Sequence, residues 1–148
     1  MRSKMALPIA ALMLIPSAWA QSVSGSEISA FLGTWEGEKI NGLPSIDLQI
    51  ESAGKELHGT AIFYLQTRKD ANQQWQASDE THLPMLSAVV QGNSLSFEVR
   101  HHRCHDCLDY GPNVKFRMQV TQQNEAHLWK ATGEQMHVGE GLNLVRKR

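Results

Sequence analysis

The chain has 148 residues, with 14 Lys and Arg against 15 Asp and Glu and a net charge of −1. That balance excludes attraction to nucleic acid or to an acidic membrane through a whole-chain field. Two cysteines are too few for a disulfide framework, and the length suits one domain with a core of its own.

Residues 1–20 read as a signal peptide. Arg2 and Lys4 form a positive n-region, an apolar stretch follows, and Ala18-Trp19-Ala20 is a small-residue cleavage site. The apolar stretch is short and interrupted by Pro8 and Pro16, so it does not read as a membrane anchor. The mature chain is expected to begin at Gln21, to carry no transmembrane segment, and to work in the periplasm or outside the cell. Residues 21–32 read as a leader and a short helix. Ser26 is placed to cap it, Glu27 lies at its positive end, and Ile28, Phe31 and Leu32 form an apolar stripe.

From Gly33 onward the period changes to two. Ile46, Leu48 and Ile50 alternate with polar residues, as do Leu95, Phe97 and Val99, then Val114, Phe116, Met118 and Val120, and finally Leu142 and Leu144. Residues 57–65 are apolar on both faces and read as a long strand, and a further strand is expected around Leu128 to Ala131. Turn signals separate these runs at Asn41-Gly42, Ala53-Gly54-Lys55, Gly92-Asn93 and Gln122-Gln123-Asn124. Residues 33–148 are therefore expected to form one all-β domain, a single antiparallel up-and-down β-barrel of about eight or nine strands.

Phe31-Leu32-Gly33-Thr34-Trp35 after a short helix, with Leu142-Asn143-Leu144-Val145-Arg146 near the end, resembles the opening and closing elements of lipocalins and the wider calycin superfamily. Gly54-Lys55-Glu56-Leu57-His58-Gly59-Thr60 is also similar to an avidin segment, and the Gly-Thr-Trp start is similar to small exported bacterial proteins of unassigned function. The chain departs from lipocalins in lacking their middle Thr-Asp-Tyr-like triplet. It departs from avidins in lacking counterparts of the polar residues around biotin. The resemblance implies a barrel closed at one end by Trp35, with Arg146 packed across it. Strand phase agrees, because Arg146 shares the inward side of Leu142 and Leu144, and an inward guanidinium is well placed on the face of an indole.

If Trp35 and Arg146 mark the closed end, three strand reversals place the loop over 101–113 at the open mouth. His101 continues the inward phase of Phe97 and Val99, while His102 is expected to face out. Cys104 and Cys107 are spaced for a local disulfide across a turn, a staple of roughly 2 kcal/mol. The alternative is a metal site in which Cys104 and Cys107 join His101 and His105 around zinc or copper. A thiol–disulfide oxidoreductase is a third reading, although no helix follows to lower a thiol pKa.

The expected function is non-enzymatic binding of a small hydrophobic or amphipathic ligand by an exported barrel, with no nucleic-acid partner and no cofactor. Phe97, Val99, Phe116 and Met118 are its candidate pocket residues, with His101 and Tyr110 at the mouth and Trp75 as an aromatic lining residue. Two alternatives stand beside it. A filled barrel could act through its loops as an interaction or inhibitor module, or the loop from His101 to Cys107 could carry a metal or enzymatic site.

Overall fold

The computed structural model describes residues 25–102, 109–132, 135–136 and 141–148. After helix α1 (Gly25–Ser29) come ten strands: β1 (Gly33–Gly37), β2 (Ile46–Ala53), β3 (Glu56–Thr67), β4 (Gln76–Pro84), β5 (Leu86–Gln91), β6 (Ser94–Val99), β7 (Val114–Gln122), β8 (Glu125–Thr132), β9 (Gln135–Met136) and β10 (Leu142–Arg146). The protein is all-β and every ladder is antiparallel. Nine strands lie on one continuous path, β4-β3-β2-β1-β10-β8-β7-β6-β5, and the two-residue β9 pairs with β8 off that path. No helix among the described residues is long and apolar enough to cross a membrane.

The helix does not reach Phe31 and Leu32 of the expected apolar stripe. It ends at Ser29, Phe31 N–H donates to the Ile28 carbonyl at 3.0 Å, and the chain then turns into β1 through Gly33 at φ 111°. Only glycine adopts that φ cheaply, so Gly33 sets the junction between helix and sheet. Ile28 and Phe31 are nonetheless buried, and so anchor this segment on the sheet.

The expected turns produce the hairpins. Asn41 and Gly42 both have positive φ, 55° and 78°, between the bridged residues Ile40 and Leu43, as a tight two-residue turn requires. Gly54 lies between the paired residues Ala53 and Glu56, and Gly92 between Gln91 and Ser94, each with positive φ.

The first and last strands pair directly, with Trp35 opposite Arg146, Glu36 opposite Val145 and Gly37 opposite Leu144. The expected ring is not closed by hydrogen bonds all round, because β4 and β5 are the two ends of the path. The reason lies in the chain between them. Only Met85 separates β4 from β5, so they are successive parts of one extended run and cannot ladder with each other. Met85 N–H still donates to the Gly59 carbonyl of β3 at 2.8 Å. Beyond it, Ser87 at φ 51° and a register break between Leu86 and Val89 redirect the chain to pair with β6.

Alternation places one face of each strand in the core. Trp35, Leu48, Ile50, Ala61, Leu95, Phe97, Met118 and Leu144 are nearly or wholly inaccessible, and Phe31 joins them from beyond the helix. These residues form one buried cluster that includes Trp35.

Candidate functional site

The filled end is tied together by one residue from each terminal strand. The Trp35 indole N–H donates to the Phe31 carbonyl at 2.8 Å, and the Arg146 guanidinium lies 4.5 Å from the Trp35 ring centroid. An Arg146 Nη donates to the Ala30 carbonyl. The cation therefore rests on an aromatic face while fastening the segment after α1 across the base.

The opposite end is open. Phe63 and Leu65 from β3, Thr81 and Leu83 from β4, Val99 at the end of β6, and Val114 and Phe116 from β7 surround a cavity of about 540 Å³. His101, His102 and Lys130 complete its wall. A second cavity of about 430 Å³ adjoins it and shares Phe63, Leu65, Phe116 and Lys130. Its remaining apolar wall includes Ile40, Ile46, Trp75, Leu128 and Leu142. Phe116 is the central ring, 5.9 Å from Phe63 and 5.6 Å from the nearly parallel Phe97 beneath it.

The residues singled out from sequence are distributed over this end and its floor. Val99, His101 and Phe116 line the larger cavity and Trp75 the smaller. Phe97 and Met118 are buried in the core and line neither cavity. Tyr110 is half exposed and stacks on His102 at 4.4 Å, with Arg100 5.5 Å from its ring. His102 was expected to face away, yet it also lines the larger cavity. β6 ends at Val99, and the His102–Tyr110 bridge takes the chain out of strand alternation. Cys104, His105 and Cys107, and with them the disulfide and metal readings that include His101, lie outside the described residues.

Several lining residues carried no clear signal. β4 has almost no apolar alternation, so Thr81 and Leu83 were not legible as inward positions. Lys130 was within reach of a parity argument. It follows Leu128 by two residues on β8 and lies opposite Phe116, so the strand turns it toward the cavity.

Neither family models, nor curated proteins, nor solved structures show a match to this chain. The chemistry of the site therefore rests on its own residues. The larger cavity is mainly apolar, with a hydroxyl, two imidazoles and one ammonium as its polar side chains. Among the described residues no three His, Cys, Asp or Glu side chains are grouped as a metal centre.

A second polar cluster lies on the outward face of β2. Asp47, only 6% exposed, accepts hydrogen bonds from the Tyr64 hydroxyl at 3.2 Å and from Lys147 Nζ at 3.3 Å. Lys147 also lies 3.4 Å from Glu36. Burial, reinforced by the Asp47 carboxylate, raises the Tyr64 pKa above its ordinary value. The hydrogen bond to Asp47 raises that of Lys147. This cluster fastens the chain end to the sheet.

Proposed function

We propose that this protein is an exported, non-enzymatic binder of a small, partly apolar molecule, held in the cavity around Phe116. One observation carries the reading: an apolar cavity of about 540 Å³ stands at the end of the sheet opposite the close-packed Trp35–Arg146 base. That volume lies within the roughly 300–1,000 Å³ of small-molecule sites. Burying about 200 Å² of apolar ligand surface there would contribute roughly 5 kcal/mol before the cost of immobilising the ligand.

The architecture favours the same reading. We read β4 and β5 as one bent strand that passes from β3 to β6, so that the open path of strands curls into a barrel-like container with a packed base. Barrels of about eight strands are just wide enough to hold one small ligand. The lipocalin-like opening and closing segments fit this use of the fold, as does a signal peptide over residues 1–20.

Titration of the exported protein with N-phenyl-1-naphthylamine, an uncharged dye that brightens in apolar surroundings, tests the proposal. Saturable enhancement is expected, and Leu83→Trp, which projects an indole into the cavity, should abolish it while leaving the urea midpoint close to wild type. A dye signal that neither saturates nor responds to Leu83→Trp would sink the reading. Native mass spectrometry of the same preparation should reveal any organic molecule carried from the cell.

A further inference from the structure

We propose that the cavity selects an amphiphile bearing a single anionic group, and that Lys130 is the residue that selects it; this rests on the ligand-binding reading above. Lys130 lines both adjoining cavities and so belongs to the wall they share. Among the described lining residues of the two cavities it is the only Lys, Arg, Asp or Glu. It makes no ion pair among the described residues, whereas Lys115 pairs with Glu98 and Lys147 with Glu36 and Asp47.

Lys130 is exposed, though not on the outer face of the sheet. Lys130 is instead on the inward phase of β8, where Ala126 and Leu128 are buried, and opposite Phe116 in the β7 ladder. Its methylene stem can lie along apolar lining while the ammonium stays hydrated at the open end. An anionic ligand group would replace part of that hydration with a charge-assisted hydrogen bond. The apolar remainder would lie against Phe63, Leu83, Val99 and Phe116, leaving Thr81 and His101 as further polar contacts for the head. A cationic amphiphile of the same length would meet the positive Lys130 ammonium, so discrimination comes from repulsion as well as attraction.

The test is displacement of N-phenyl-1-naphthylamine by dodecanoate, 1-dodecanol and dodecyltrimethylammonium, each below its micelle-forming concentration. Dodecanoate should displace the dye at about tenfold lower concentration than dodecanol, with the cationic probe weakest. With each displacement referred to the variant's own dye affinity, K130Q should bring dodecanoate to within about twofold of dodecanol, and K130R should keep the preference. Dodecyl phosphate in place of dodecanoate tells whether the preferred head is a carboxylate or a phosphate ester. Equal displacement by dodecanoate and dodecanol in the wild type, or an unchanged preference in K130Q, overturns the inference while leaving ligand binding intact. Failure of the dye itself to bind removes the cavity reading and this one with it.

Discussion

At the residue scale, Arg146 and Trp35 fasten one end of the sheet with two side chains. Trp35 is wholly buried and its indole N–H satisfies a backbone carbonyl, so Trp35→Phe both empties space and orphans the Phe31 oxygen. A loss of about 1–3 kcal/mol is expected. Arg146→Ala should cost about 2 kcal/mol, because it removes the cation from the ring and the donor from the Ala30 carbonyl. Urea denaturation of both single variants and the double variant measures the coupling. Strictly additive losses would mean that the stacked geometry contributes nothing. Gly59 is a second such position. A Cβ there would run into Met85 Sδ and would lie 2.6 Å from the Gln49 carbonyl. Gly59→Val should therefore destabilise by several kcal/mol, roughly 3 or more, read as a lowered urea midpoint with the slope unchanged.

At the scale of elements, the outward cluster on β2, β3 and the segment after β10 gives stability a definite pH dependence. Lys147 and Tyr64 both have folded-state pKa values above their ordinary ones. Groups shifted in that direction contribute stability that is full below the unfolded-state pKa of about 10 and is lost as pH rises through the folded value. The urea midpoint is expected to hold from pH 7 to 9 and to fall toward pH 11, with a shallower fall in Asp47→Asn. An Asp47→Asn protein with the wild-type alkaline slope would show that the cluster does not govern that window. Element by element, the sequence was unevenly legible. β2, β6, β7 and β10 announced themselves because one face of each is buried, which forces apolar residues to alternate with polar ones. β4 did not, because most of Gln76–Pro84 is exposed on both sides and the strand is held by its ladder to β3. Its only apolar residue clearly on the inward phase is Leu83, too little for a period.

For the whole molecule, the expectation is a processed, exported container. N-terminal sequencing of the exported protein should begin at Gln21, and retention of residues 1–20 would remove the signal-peptide reading. Leu83→Trp should separate cavity from core: dye binding is lost while stability stays within about 1 kcal/mol, because the indole fills space that no side chain occupies. A large loss of stability would mean instead that Leu83 is part of the packed core. The base and the hollow differ for a simple reason. Phe97, Met118, Leu95 and Trp35 belong to one buried cluster, whereas the cavity is walled in part by the shorter Val99, Val114 and Thr81.

By itself, the sequence determined the all-β class of the protein, the positions of most turns, and the pairing of Trp35 with Arg146. Each depends on local chemistry: alternation set by one-sided burial, positive φ at Asn41, Gly42, Gly54 and Gly92, and a charge whose strand phase points it inward. The tertiary structure decided what no local signal holds. It showed that β4 and β5 are one run bent at Met85, that Phe97 and Met118 are buried while Phe116 lines a cavity, and that the exposed Lys130 stands at that cavity's wall. Those facts depend on how far residues distant in the chain approach one another, and strand phase supplies a direction without a distance.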